Sequence, residues 1–160
     1  MKKIAISGKR GIGKFALVDD EDFDQLNKYR WSFDSGGYAK RKLRDGNKSR
    51  VLMMHSVIIG EKYGMITDHI DGDRLNNQKS NLRLCNSLQN VWNRKPFKNR
   101  KCKYFGVRKD STNTWRVEIR VSGKREHYFG FKSEEEAGLF YNKVALKTRG
   151  EFAKLNQIGV

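Results

Sequence analysis

Residues Thr67 to Asn90, TDHIDGDRLNNQKSNLRLCNSLQN, limit the possible folds of this chain more than any other stretch. An Asp68-His69 pair closes a short apolar run. Asn81 follows twelve residues after His69 and Asn90 nine residues later, with the turn Asp71-Gly72-Asp73 between. Asx and Gly residues favour turns over continued strand or helix. The segment therefore reads as a strand from Met65 to Ile70, a loop, a short strand from Leu82 to Cys85, and a helix from about Ser87 to Lys95. Pro96 ends that helix, because the residue before a proline is pushed out of the α region. Such a row can hold one hard metal ion beside a neutral imidazole, the combination that cutting a phosphodiester bond requires. Taken singly, Asp71, Gly72, Asp73, Asn76 and Asn77 need no role beyond turn chemistry.

The remainder reads as α+β in two modules. Strands are expected at Lys3 to Ser7, Gly13 to Val18, Tyr29 to Asp34, Tyr38 to Arg44 and Ser49 to His55. The turns Ser35-Gly36-Gly37 and Asp45-Gly46-Asn47 separate three of them. Acidic residues open a short helix from Asp20 to Lys28. After residue 103 the pattern changes. YFGVRK, TWRVEIRVSG and REHYFGFKS alternate apolar with polar residues, as half-buried antiparallel strands do. Ser133 with Glu136 forms a capping box that opens a helix carrying Ala137, Phe140, Tyr141 and Val144 on one stripe. The expected division is residues 1–95, a basic linker 96–103, and a sheet-plus-helix module 104–160.

Charge indicates the partner. The chain has 34 Lys plus Arg against 18 Asp plus Glu, a net +16, which attracts polyanions over long range. Between Asn93 and Lys103, NRKPFKNRKCK contains six Lys or Arg residues, a strap that repels itself unless phosphates neutralise it. No apolar run approaches the ~20 residues of a membrane span. Two cysteines, Cys85 and Cys102, supply neither a disulfide framework nor a four-ligand zinc site, so a reducing cytoplasm is expected. The opening GKRGIGK matches a phosphate-cradling loop in outline, but Phe15 stands where a Ser or Thr hydroxyl should meet magnesium, so no nucleotide cofactor is expected.

Asp68-His69, Asn81 and Asn90 resemble the HNH endonuclease motif, and DHIDGDRLNNQKSNLRLCNSLQN is similar to the HNH homing and nicking enzymes encoded in phage genomes. The resemblance is dense over residues 51 to 95 and weaker through ALVDDEDFDQLNKYRW. It implies a ββα-metal fold that grips one divalent ion, Mg²⁺ or Mn²⁺. It also implies metal ligands at Asp68 and Asn90, a general base at His69, and a bracing role at Asn81. The family usually carries His-Arg upstream where this chain has His55-Ser56, which leaves His55 outside the expected catalytic set. The implied setting is a phage gene expressed in the cytoplasm of a bacterial host.

Residues 104 to 156 look like an AP2 domain, with YFGVR, WRVEIR, YFGFKSEEEA and RGEFAKLN in that family's order. The resemblance implies that the sheet lies in the major groove of double-stranded DNA. Along Trp115 to Arg120 the alternation turns Val117 and Ile119 inward and Arg116, Glu118 and Arg120 outward. An outward arginine row can pair with guanine edges or grip phosphates. The expected DNA contacts are Arg108, Arg116, Glu118 and Arg120, with Lys109 and Arg125 on phosphates and Arg94, Lys95, Lys98, Arg100 and Lys101 along the strap. Phe105, Asp110 and Glu126 replace basic residues of the plant pattern, so its sequence preference does not carry over. The combined expectation is a monomeric, site-specific DNA endonuclease of homing type that nicks or cuts. The rival is a non-catalytic AP2-type regulator with a decayed nuclease.

Overall fold

The computed structural model describes residues 1–46, 48–93, 102–110 and 113–159. Contacts divide the chain into Met1–Ser87 and Leu88–Val160. Both units mix strands and helices, so the chain is α+β.

In the first unit, β1 (Lys2–Ser7), β2 (Phe15–Val18), β3 (Trp31–Phe33), β4 (Ala39–Asp45) and β5 (Lys48–Met53) form one sheet in the order β2-β1-β3-β4-β5. Only the β1–β3 pair is parallel. Helix α1 (Asp20–Asn27) lies between β2 and β3 in sequence. Strand alternation places Ile4 and Ile6 inside with Ala16, Val18, Leu26, Trp31, Ala39 and Met54. Trp31 is fully buried, and its indole N–H donates to the Leu26 carbonyl at 2.9 Å, which satisfies the one polar atom that the ring brings inside. The GKRGIGK segment turns back from β1 into antiparallel β2 and opens no helix.

One expected strand stops short. The run from Ser49 to His55 is strand only to Met53, and Met54–Ile59 forms helix α2. Local β-branched residues favour a strand, but the turn lets Met54 fill the core completely while His55 also faces inward, and this packing outweighs propensity. Gly60, at φ 80°, closes the helix by donating to the Ser56 carbonyl at 3.0 Å.

Strands β6 (Ile66–His69) and β7 (Leu82–Cys85) pair antiparallel, with Asp68 opposite Arg83 and His69 opposite Leu82. The loop between them lies along the free edge of β2. Leu17 N–H donates to the Leu75 carbonyl, and Asn77 N–H donates to the Leu17 carbonyl, each at 2.8 Å. That pairing covers a sheet edge that would otherwise be open. Asp19 adds a second tie by accepting from Gln78 Nε2 at 3.0 Å and from the Lys79 backbone N–H at 2.8 Å. The N-terminal sheet thus fixes the loop that carries the Asx-rich motif. Helix α3 (Ser87–Trp92) follows β7 and crosses the unit boundary.

The second unit contains β8 (Val107–Lys109), β9 (Trp115–Val121) and β10 (Lys124–Phe131) in the antiparallel order β10-β9-β8, backed by α4 (Glu134–Arg149). Val107, Val117 and Ile119 bury against Tyr104, Ala137, Tyr141 and Ala145. Ser133 caps α4 by accepting from Glu136 N–H at 3.0 Å, while the Glu136 carboxylate accepts from Lys132 N–H at 2.8 Å. Gly106 lies in the left-handed region at φ 74°, and a Cβ there would meet the Tyr141 ring at 2.4 Å, so only glycine fits.

Candidate active site

Strand β6 delivers Asp68 and His69 as consecutive residues, both buried, at 6% and 4% exposure. Across the two-stranded ladder, Arg83 turns its guanidinium onto Asp68. Nε and Nη2 both donate to Oδ2, at 3.0 and 2.9 Å. Both side chains of this ion pair are shielded from water. The pairing follows from register, because Asp68 and Arg83 are direct cross-strand neighbours.

Asn81 sits at the end of the loop and reaches back across it. Its Oδ1 accepts from Asp71 N–H at 3.0 Å, while Nδ2 donates to Asp71 Oδ1 at 3.0 Å and to the Asn76 carbonyl at 2.8 Å. Its own carbonyl accepts from Ile70 N–H at 2.9 Å. Asp71 in turn accepts from Asp73 N–H at 2.7 Å and from Asn76 Nδ2 at 2.8 Å. Burial pushes the Asp71 carboxyl up, but these donors outweigh it and hold its pKa below the usual value. Gly72 makes the sharp turn at φ 71°, with its N–H on the His69 carbonyl at 2.9 Å. The backbone on both sides of His69 is therefore pinned.

The His69 imidazole packs in an aromatic cluster that the sequence did not disclose. Its centroid lies 5.2 Å from that of His55 at 85° and 5.7 Å from that of Tyr38, and Tyr38 meets His55 edge-on at 5.3 Å. Arg74 lies over the Tyr38 ring at 4.8 Å. Burial lowers the His69 pKa, against the Asn77 side chain and the negative charges of Asp71, Asp68 and Asp73, which pull it up. Burial and the neighbouring His69 lower the His55 pKa to about 4, with Asp34 opposing. Both rings are thus biased toward the neutral form at pH 7, as proton acceptance requires.

Among the described residues no group of three His, Cys, Asp or Glu side chains converges as a metal cage. The oxygen-bearing groups of the segment include the Asp68 carboxylate, which Arg83 engages, and carboxamides; hard oxygen ligands of this kind suit Mg²⁺ or Mn²⁺ when substrate and water complete the shell. Asn90 lies on α3, in the second unit.

In the second unit, three of the four expected DNA-contacting side chains, Arg108, Arg116 and Glu118, share a network. Glu118 meets Arg116 Nη2 at 3.1 Å, Arg108 Nε at 3.6 Å and His127 Nδ1 at 3.8 Å. Arg108 and Arg116 are direct cross-strand partners, while Arg120 faces Arg125 across β9 and β10. Lys109 is exposed on β8. Arg94, Lys95, Lys98, Arg100 and Lys101 lie outside the described residues.

The HNH endonuclease family model matches residues 53–91, a span that contains Asp68, His69, Asn81 and Asn90. An HNH endonuclease of Acanthamoeba polyphaga mimivirus is 34% identical over 151 residues, covering 93% of this chain and 78% of its own length. This chain belongs to the HNH endonuclease family. Protein 3.8 of Escherichia phage T7 is 30% identical over 92 residues, covering 57% of this chain and 75% of its own. A solved structure of the HNH homing endonuclease I-HmuI, described as binding and cleaving DNA, aligns over 54% of this chain at 25% identity and a TM-score of 0.34. This HNH chain spans 44% of that protein's length. Tyr38, His55 and Arg83 are the site neighbours that sequence reading left unassigned. Arg83 was recoverable in principle, since pairing Ile66 with Cys85 sets it opposite Asp68.

Proposed function

We propose that this HNH protein is a divalent-metal-dependent DNA endonuclease of the homing or nicking type, with His69 as the general base. One observation carries the reading. A buried imidazole biased toward neutrality follows a buried carboxylate in sequence, at the end of a strand whose following loop is tied by Asn81. His69 accepts a proton from the attacking water at a ring nitrogen, and His55 and Tyr38 fix the plane of the ring and exclude bulk water. Asp68 and, by the family resemblance, Asn90 would hold the ion. When bound, a Mg²⁺ or Mn²⁺ ion supplies positive charge that polarises the scissile phosphate and stabilises the leaving oxygen. Asn81 touches no reacting atom and acts by keeping the His69 backbone in place.

The second unit, in this reading, is an AP2-like module that places double-stranded DNA on its sheet through Arg108, Arg116, Glu118 and Arg120. Glu118 keeps two of the arginines oriented and can itself accept from a cytosine amino group. The strap residues Arg94, Lys95, Lys98, Arg100 and Lys101 track phosphates. One site per monomer makes a nick the simplest product. The test incubates supercoiled plasmid with purified protein and titrates Mg²⁺ or Mn²⁺, with calorimetry on protein plus duplex following ion uptake. Metal-dependent open circles and saturable ion uptake are expected. Neither product nor uptake with either metal would leave a DNA-binding protein without nuclease activity.

A further inference from the structure

The second unit holds a cleft of about 340 Å³ where β9 runs past the start of β8, walled by the Phe105-Gly106 backbone and Tyr141. Four guanidinium-bearing residues line it: Arg108, Arg120, Arg125 and Arg149. Glu118 is the one carboxylate among the lining residues, and Arg116 and Arg108 already engage it. The cleft therefore carries excess positive charge, and among the described residues no ion pair engages Arg120, Arg125 or Arg149.

Two details show more than a generally basic surface. Arg120 and Arg125 are direct cross-strand partners, an arrangement of like charges that destabilises a sheet unless an anion sits between them. Arg149, meanwhile, is aimed and held at the end of α4. Its Nη1 donates to the Tyr141 hydroxyl at 3.0 Å and Nη2 to the Arg120 carbonyl at 3.4 Å, and its guanidinium lies over the rings of Trp92 and Tyr141 at 5.6 and 5.9 Å. A guanidinium fixed by aromatic faces and a hydroxyl has little freedom left to lose when it binds, which favours a planar two-oxygen anion such as phosphate.

We propose that this cleft is a phosphate-binding site that anchors one backbone phosphate of duplex DNA, with Arg120 and Arg125 sharing the phosphate and Arg149 presenting its fixed guanidinium to it. The assignment rests on the reading of the second unit as a DNA-binding module and adds to it. Arg120 serves as a phosphate ligand, so base reading falls to the Glu118 network, and Arg149 joins the interface from the helix.

The experiment measures binding of the full chain to a random-sequence duplex from 50 to 200 mM NaCl for the wild type and for Arg125→Gln, Arg120→Gln, the double variant and Arg149→Lys. A thermal melt checks that each is folded. Each phosphate contact contributes about 0.9 to the slope of log affinity against log salt. Arg125→Gln and Arg120→Gln should each lower the slope by up to about one unit. The double variant should lower it by about one unit in total, because the two side chains serve one phosphate. Over that salt range the wild type should lose about threefold more affinity than the double variant. Arg149→Lys, which keeps the charge but not the planar fork, should weaken binding to this random-sequence duplex, and unchanged binding would remove Arg149 from the site. An unchanged slope in the double variant overturns the site. Saturable stabilisation of the wild type by inorganic phosphate, lost in Arg125→Gln while the duplex slope stays unchanged, overturns the backbone assignment in favour of a free anion. A wild type whose duplex binding ignores salt fails the DNA-binding reading itself, and the site with it.

Discussion

Asn81 offers the sharpest test of how the motif loop is held. Its side chain makes three hydrogen bonds, to Asp71 N–H, Asp71 Oδ1 and the Asn76 carbonyl, and the residue is 7% exposed. A buried hydrogen bond contributes about 1 kcal/mol net, and orphaned partners cost more. Asp71 Oδ1 keeps its bond from Asp73 N–H when Asn81 is truncated, which softens the loss. Asn81→Ala should therefore destabilise the first unit by about 2–4 kcal/mol, read as a lower midpoint in urea with an unchanged slope. Asn81→Asp is isosteric yet should be worse. It places a carboxylate where Nδ2 lies 3.0 Å from Asp71 Oδ1, which turns an attraction into repulsion between like charges. The gap between the two variants should narrow in acid as the carboxyls protonate. Asn81→Ala within 0.5 kcal/mol of wild type, or Asn81→Asp more stable than Asn81→Ala at pH 7, would refute the bracing argument.

Arg83→Met should cost about 3–5 kcal/mol by removing the guanidinium that pairs with the buried Asp68 carboxylate, and adding Asp68→Leu should restore most of it; a single variant of wild-type stability in urea denaturation would contradict the pairing. Asp19 should make the loop acid-labile. Bonds from the Gln78 side chain and the Lys79 N–H hold its folded pKa below 3.8, so its contribution is complete above that value and disappears as pH falls through the folded pKa. Asp19→Asn should flatten the stability–pH curve on the acid side of pH 3.8, and curves of the same shape would show that the tie carries no stability.

The amount of this that could be read in advance followed from the kind of physics involved. Strand β7 and the capping box at Ser133 were legible because alternation and capping are local. Strand β6 is one residue shorter at each end than the expected Met65 to Ile70. Helix α2 was missed because Met54-His55-Ser56-Val57-Ile58-Ile59 carries strand-like propensity, and the burial of Met54 that overrides it involves residues distant in sequence. The aromatic contacts of Tyr38 and His55 with His69 were hidden for the same reason, since they join β4's flank, α2 and β6. Alternation did place Arg116, Glu118 and Arg120 on one face, but it could not show that Glu118 binds two arginines or that Arg149 reaches the Arg120 carbonyl from α4.

The most direct measurement is single-turnover cleavage of duplex DNA at saturating protein by wild type and His69→Ala, with affinity measured on the same samples. His69→Ala should bind DNA within about twofold of wild type and cleave at least 100-fold more slowly, the lower bound for removing a general base. Cleavage by His69→Ala at the wild-type rate would mean that another group deprotonates the water and that the buried imidazole is only part of the packing.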